Sequence, residues 1–556
     1  MYCDKTSVNI LTALLAASGL RDVVVCPGSR NAVLVHDFHE CPALRCHPAT
    51  DERSAAFQAL GLTLASGRPA AVCVTSGSAL LNVLPAVAEA AFRHLPLLII
   101  SADRPARWIG QLDGQTLPQP GALQPYAPSF VLPEEKGEAG DGWCARVVNE
   151  ALQALTRGGG GPAHLNVPLD EPLFSFTTAR LPACTVVREV RPVAPAPLPA
   201  EVVGKIRKAR LPVLLLGERD AAPSPAAARL DAADALLVLP EIVANQPGSF
   251  RTMALELLPS LSGFQPDLVI HAGGALVNKR LKLHLRGLPH CHVIRIEESD
   301  ALPDTFLHLD TVIRSPLEPV LAQLADALPP SAAVRRAKER LQLVARRTEA
   351  FVPAGFSDLG LMQLLARQAA GSDCSLHLAN SSVVRNACYF FDGGRRPVFC
   401  NRGLNGIEGS LSTALGYAQL SPKPVLTLIG DLSFFYDQNA LWREQLPPGL
   451  RILLFNNGGG QIFRQLPGLS ASAAMPDLVA AAHHTSAEAV ARSHGLAYFP
   501  VRDYAAAARA FDHLLAPAAS RPVLVEAFTD AADNEHDRRG LLRLFADAEN
   551  QDITNL

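Results

Sequence analysis

Short apolar runs recur along the chain, each closed by a turn rich in glycine, asparagine or aspartate. One set falls at 22–26, 70–75, 95–101 and 163–167, with a further strand region leading to Thr50. A second falls at 213–216, 235–239, 268–271 and 292–296, and a third at 375–378, 398–400, 425–429, 452–455 and 523–527. Runs that are continuously apolar rather than alternating predict strands buried on both faces, and the Ala-rich stretches between them predict crossover helices. The Pro-rich run over 191–199 reads as a stiff linker. Residues 333–350 read as a basic helix, and 352–355 as a break. The predicted fold class is α/β: three successive α/β domains with parallel central sheets, divided as 1–182, a linker 183–199, 200–335 and 336–556.

The polar tips of two strands in the third set are the most informative feature. Strand 425–429 ends at Gly430-Asp431 and strand 452–455 at Asn456-Asn457, with a helix expected over 437–444 between them. A strand–helix–strand unit brings both tips to the carboxyl edge of a parallel sheet, where such folds bind ligands. Asp431 offers a carboxylate and Asn457 an amide carbonyl, and Gly458-Gly459-Gly460 let a bare backbone carbonyl approach the same ion. Oxygen donors of low total charge, shared with a phosphate, suit magnesium. Taken alone, these dipeptides are equally well two ordinary strand-end turns.

The first set carries its own polar tips. Strand 23–26 ends in Pro27-Gly28-Ser29-Arg30, and Thr50-Asp51-Glu52-Arg53 opens a helical run. An acid such as Glu52 in a first helical turn is favoured by the helix dipole alone. Thr75-Ser76-Gly77-Ser78 is a second strand-to-helix turn with backbone donors to offer.

Length and composition narrow the class. At ~100–200 residues per domain, 556 residues predict about three domains. A net charge of -3 gives no electrostatic case for nucleic acid or an anionic membrane surface. Eleven cysteines occur without a CxxC pair, which reads as reduced thiols and a cytoplasmic location. No apolar run reaches the ~18–20 residues of a membrane helix, and residues 1–9 lack the order of a signal peptide.

The sequence of Glu52, Thr75-Ser76-Gly77, Gly430-Asp431 and, 26 residues after Asp431, Asn457 resembles that of thiamine diphosphate-dependent enzymes. The resemblance implies thiamine diphosphate and Mg2+ as cofactors, with Mn2+ the alternative ion. It implies Glu52 at a ring nitrogen of the aminopyrimidine, and cofactor contacts from Ser76, Gly77, Ile407, Gly430, Asp431, Leu432, Ser433, Asn457, Gly459, Gln461 and Ile462. The metal ligands would be Asp431, Asn457 and the Gly459 carbonyl. In that family the two halves of each site come from different subunits, which implies a homo-oligomer.

Further motifs, Pro27-Gly28-Ser29-Arg30, Asp103-Arg104-Pro105, Gln119-Pro120-Gly121, Asn380-Ser381-Ser382, Asn401-Arg402-Gly403 and Gly460-Gln461-Ile462-Phe463, are similar to one branch of the family. That branch serves the menaquinone pathway, decarboxylating 2-oxoglutarate and adding the succinyl unit to isochorismate. It implies substrate contacts from Ser29, Arg30, Arg104, Gln115, Lys279, Arg280, Ser381, Arg385, Arg402 and Phe463. Arginine grips a carboxylate through two parallel hydrogen bonds, so an Arg set suits two dicarboxylates. Gln115 would serve catalysis by positioning water or polarising the acceptor, because an amide is no base near neutral pH. Gly114 and Gly458 depart from the residues the family can carry there. His483-His484 reads as a surface pair, since adjacent histidines on a helix point apart. Two other readings are another thiamine diphosphate-dependent 2-oxo-acid decarboxylase or acetohydroxyacid-type synthase, and a non-catalytic relative. The first needs fewer Arg contacts; the second fits poorly with the presence of Glu52, Asp431 and Asn457.

Overall fold

Three parallel sheets organise the computed structural model, which describes residues 1–133, 137–189, 196–249, 264–466 and 468–552. The first sheet contains β1 (Asp22–Val25), β2 (Arg45–Pro48), β3 (Ala70–Val74), β4 (Leu97–Asp103), β5 (Ser129–Val131) and β6 (Ala163–Pro168), in the order β2-β1-β3-β4-β6-β5. The second contains β7 (Pro212–Leu216), β8 (Leu237–Pro240), β9 (Leu268–Ala272), β10 (His292–Ile296) and β11 (Leu309–Ile313), in the order β11-β10-β9-β7-β8. The third contains β12 (Ser375–Leu378), β13 (Val398–Cys400), β14 (Val425–Gly430), β15 (Leu450–Asn456), β16 (Ala497–Val501) and β17 (Val523–Phe528), in the order β13-β12-β14-β15-β17-β16. Every pairing within these sheets is parallel.

The continuous apolar runs follow from this layering. Val23, Cys73, Leu98 and Leu165 face one apolar cluster, while Val24, Val72, Val74 and Ile99 face another across the same sheet. Along β14, Leu426 and Leu428 join one cluster and Val425 and Ile429 the opposite one. With helices on both faces, neither side of a central strand meets water, so both sets of alternate positions are apolar. Among the described residues no helix is long and apolar enough to cross a membrane.

Strand order reverses between β1 and β3, between β7 and β9, and between β12 and β14, near the middle of each sheet. Such switch points leave a crevice at the carboxyl ends of the strands. In the first and third sheets the crevices are bordered by the polar tips singled out above. In the middle sheet the crevice is closed by the chain itself: a Cβ on Gly217, just after β7, would land on the Gly274 carbonyl, just after β9.

Two expectations are corrected. The segment expected to be helical over 437–444 is instead a helix at Asp431–Tyr436 followed by a 3-10 turn at Gln438–Leu441. Asp437 ends the helix because its buried carboxylate accepts from Ser412 N at 2.8 Å and Ser412 Oγ at 2.7 Å. The edge strands β5, β11 and β16 were not anticipated. Of the Pro-rich linker, residues 190–195 lie outside the described residues.

The first and third domains meet where helix Glu52–Ser66 crosses helix Ser410–Ala418. An added Cβ on Gly61 would strike the Thr413 carbonyl, and one on Gly416 the Gln58 carbonyl. Ser54 Oγ and Ser412 Oγ are 2.8 Å apart at the same crossing. Gly416→Ala is therefore expected to lower the urea midpoint, because overpacking of about 1–3 kcal/mol exceeds the ~1 kcal/mol that Ala gains over Gly in a helix. Gly204→Ala, in helix Ala200–Lys208 with nothing near the new Cβ, is the control and should leave the midpoint unchanged or raised.

Candidate active site

At the first switch point the turn after β1 leaves Ser29 exposed and Arg30 buried. Arg30 donates to the Leu169 carbonyl at 3.1 Å and pairs with Glu171 at 3.4 Å. Glu52 is half-buried at the first position of its helix, which Asp51 caps by accepting from Ser54 N at 3.0 Å. After β3, Ser76 is buried and Gly77 has φ +79°, and its Cβ position lies 3.0 Å from the Gln115 backbone. Only glycine allows both the left-handed backbone and that close approach. Gln115 itself has φ +57° and is exposed in the single chain. Arg104 Nε donates to the Gly114 carbonyl at 3.2 Å, so Arg104, Gln115, Ser76 and Gly77 are brought together. Nothing lies near a Cβ built on Gly114, so a side chain there would have room.

Beneath these residues lies a buried polar network that sequence reasoning did not assign a role. Gln119, fully buried, accepts from Gly77 N at 2.7 Å and donates to Asn166 Oδ1 at 2.7 Å and the Ala102 carbonyl at 3.1 Å. Asn166 in turn donates to Asp103 Oδ2 at 2.8 Å, and Asp103 Oδ1 accepts from Arg104 N at 2.8 Å. His164 joins through Ser101 at 2.8 Å, and burial lowers its pKa to about 4, so the imidazole is neutral at neutral pH. The Gln119-Pro120-Gly121 motif was the only trace of this network in the sequence.

At the third switch point Asp431 follows β14 directly and Asn457 follows β15. Asp431 Oδ2 accepts from Asn457 N at 3.1 Å and Gly459 N at 3.0 Å, and Oδ1 from Leu432 N at 2.7 Å. Burial raises the Asp431 carboxyl, and those Gly459 and Leu432 donors oppose it. Asn457 Nδ2 donates to Asp358 Oδ2 at 2.9 Å, and Gln461 Nε2 to the Asn457 carbonyl at 2.9 Å. Ser433 Oγ donates to the carbonyl of Ile407, whose side chain is exposed in the single chain. Gly458 and Gly459 have φ +76° and +136°, so a side chain at 458 would be strained in this chain.

His483 is a correction to the surface reading. Its Nε2 lies 3.4 Å from Asp431 Oδ2 and its side chain is only 16% exposed, because His483 N donates to the Gly458 carbonyl at 3.1 Å and docks the segment there. His484 is exposed as expected. Among the described residues no group of three His, Cys, Asp or Glu side chains is placed to hold a metal. A cation would instead draw on amide and backbone oxygens beside the single Asp431 carboxylate. The side-chain oxygens Asn457 Oδ1 and Gln461 Oε1 are buried without a protein partner. An orphaned amide oxygen next to a buried carboxylate fits a hard, oxygen-seeking cation.

The remaining substrate-side residues gather around Asn380, at the end of β12. Asn380 donates to the Asn401 and Gly406 carbonyls at 2.6 and 2.8 Å, and its Oδ1 accepts from Arg402 at 2.9 Å. The next residue, Ser381, has φ +70° and accepts from Arg385 at 2.8 Å. A cavity of about 380 Å³ is lined by Arg280, Arg385 and Ile462, and also by Asn386, Tyr389 and Arg538, which were not anticipated. Lys279 and Phe463 are not among its lining residues: Lys279 is exposed at the start of helix Lys279–Arg286, and the Phe463 ring lies against Gly460.

Arg402 is held from behind by a buried ion cluster. Glu89 accepts from Gly403 N at 2.9 Å and Leu404 N at 2.8 Å, fixing the turn that carries Arg402. Arg93 lies 3.7 Å from Glu89, 3.2 Å from Glu218 and 2.7 Å from Asp220, and donates to Asn401 at 3.2 Å.

Comparison with known proteins gives this arrangement its class. Residues 5–124 match the family model described as thiamine pyrophosphate enzyme, N-terminal TPP binding domain. A solved structure, the Rhodococcus jostii RHA1 thiamine diphosphate-dependent 4-hydroxybenzoylformate decarboxylase, superposes with a TM-score of 0.69 at 20% identity, covering 95% of this chain and 99% of that one. The three-sheet architecture is thus that of a thiamine diphosphate-dependent enzyme. The chain is 40% identical over 547 residues to a Bacteroides thetaiotaomicron 2-succinyl-5-enolpyruvyl-6-hydroxy-3-cyclohexene-1-carboxylate synthase, covering 95% of this chain and 97% of the relative. It is 39% identical over 555 residues to the synthase of the same name from Phocaeicola vulgatus, covering 95% and 96%. The chain belongs to the family of these synthases.

The buried cluster yields a pH prediction. Burial raises the Glu218 carboxyl from 4.5 to about 8, against the pull of Arg93. A carboxyl raised on folding favours the protonated native state, so stability is greatest below the unfolded pKa and is lost as pH rises through the folded one. Glu218→Gln is expected to flatten the decline in melting temperature as pH rises from about 4.5 to about 8. The check is a melting series of wild type and variant across that range.

Proposed function

We propose that the protein catalyses the thiamine diphosphate-dependent decarboxylation of 2-oxoglutarate and the conjugate addition of the succinyl unit to isochorismate, a step of menaquinone biosynthesis. When bound, thiamine diphosphate would supply a nucleophilic ring carbon to the 2-oxo group and a cationic ring to take up the electron pair released with carbon dioxide. Glu52 would hold a proton at the aminopyrimidine ring nitrogen. Asp431, Asn457 Oδ1 and the Gly459 carbonyl would hold Mg2+, or Mn2+, against the diphosphate. Gly430, Leu432 and Ser433 on one strand tip and Gln461 and Ile462 on the other would flank it.

The observation that carries the substrate assignment is the convergence of Arg280, Arg385 and Arg538 on one cavity, next to the Asn380–Arg402 pair. A substrate with one carboxylate needs no such set. Ser381, Arg385 and Arg402 would bind carboxylates from the third domain, and Ser29, Arg30, Arg104 and Gln115 would complete the pocket from the first. Gln115 would orient the acceptor through its amide rather than take a proton.

The two half-sites are read as meeting between subunits of a homo-oligomer. Large apolar side chains exposed in the single chain support this, with Leu81 at 46%, Phe92 at 58%, Leu404 at 42% and Ile407 at 38%. A cytoplasmic enzyme accords with this chemistry on small soluble acids.

With thiamine diphosphate and Mg2+, carbon dioxide release from 2-oxoglutarate is expected to require isochorismate and to keep pace with its consumption. Release indifferent to isochorismate would point to a simple decarboxylase instead. Glu52→Gln is expected to lower kcat by about 10²–10⁴-fold while thiamine diphosphate still binds, as followed by calorimetric titration.

A further inference from the structure

We infer that Asp358 is a positioning residue for the divalent cation, acting through Asn457; this rests on the reading of Asp431, Asn457 and Gly459 as cation ligands. Asp358 opens helix Asp358–Gln368 and is 7% exposed. It is distant in sequence from both strand tips, and Ser357, which caps the helix, is fully buried.

Two contacts fix the carboxylate and a third its main chain. Oδ2 accepts from Asn457 Nδ2 at 2.9 Å, and Oδ1 accepts from Thr529 Oγ1 at 2.7 Å. The Asp358 main-chain N donates to Asn534 Oδ1 at 2.7 Å, and Asn534 Nδ2 reaches Thr529 Oγ1 at 3.2 Å. The group therefore cannot turn away without breaking a closed ring of hydrogen bonds.

Its effect on Asn457 follows from donor chemistry. Both Asp358 oxygens accept here, so Asn457 presents its NH2 to Asp358 and directs its carbonyl oxygen the other way. That oxygen is the buried Asn457 Oδ1 that has no protein partner. Were Asp358 neutral in hydrogen-bonding preference, the amide could rotate by half a turn and offer two N–H donors to the cation, which repel it. Partners that orient a metal ligand in this way are worth about 10–100-fold in metal affinity.

The test is Mn2+ binding in the presence of thiamine diphosphate, read from the loss of the free-ion electron paramagnetic resonance signal, with no substrate present. Asp358→Asn is expected to weaken Mn2+ binding by about 10–100-fold. Thr529→Ala, which opens the ring but keeps the Asn457–Asp358 bond, should lower Mn2+ affinity by less than Asp358→Asn does. The charge-conserving swap Asp358→Asn with Asn457→Asp should regain affinity, because the new amide can donate to the new carboxylate and leave its second oxygen for the ion. Wild-type affinity in a folded Asp358→Asn, or an equal loss in Thr529→Ala, would overturn the inference. Should the single variant not fold, failure of the folded swap to bind Mn2+ would overturn it as well. A wild type that takes up no Mn2+ with thiamine diphosphate would overturn the cation reading itself, and this inference with it.

Discussion

One buried guanidinium holds the three domains in place. Arg93 leaves the first domain on helix Leu84–Arg93, meets Glu218 and Asp220 just beyond β7 of the second, and reaches Asn401 just beyond β13 of the third. Its pKa is raised by the acids around it, although burial alone would lower it. Removing one partner from such a cluster strands the others at a cost of about 3–5 kcal/mol. The cluster thus couples the placement of the three domains, beside the direct crossing of helices Glu52–Ser66 and Ser410–Ala418. The turn bearing Arg402 is the direct beneficiary, because Glu89 serves both Arg93 and the Gly403 and Leu404 amides.

Around that frame, the two open switch points divide the work. The first domain supplies a carboxylate, a glycine turn and an exposed amide, and the glycine turn rests on the buried network of Gln119, Asn166 and His164. The third presents the Asp431 carboxylate, the buried Asn457 Oδ1 and an Arg-lined cavity. In both, the groups presented to solvent are backed by buried polar groups whose hydrogen bonds are internal. Such backing fixes direction before any ligand arrives, so little reorganisation is left for binding to drive.

The central strands were legible in the sequence because burial on both faces leaves an unbroken apolar run, as in β3, β4, β14 and β15. The edge strands β5, β11 and β16 were not, because half-exposed residues with mixed character carry no such mark. Asp431, Asn457, Glu52 and the Ser76-Gly77 turn stood out through local motifs at strand tips. Asp358 and Arg93 act across large sequence separations, and nothing next to them in the chain announces a role. Asp358 reads simply as an acid at a helix start, which the dipole favours anywhere. His483 departs from the surface reading because its ring is turned inward against Asp431, and the helix expected over 437–444 is cut short because the Asp437 carboxylate is drawn to Ser412.

The middle sheet repeats the same plan with its crevice filled by Gly217 and Gly274. Of three receptors built to one blueprint, it has become the keystone: a domain that keeps the geometry of a binding fold while devoting it to spacing its neighbours. Its chemistry has migrated to its rim, where Arg280 faces the Arg-lined cavity and the Leu276 carbonyl accepts from Arg402 at 3.2 Å. Drift within that sheet is therefore cheap for catalysis wherever it spares the rim, and the domain that binds least is the one freest to acquire new surface properties.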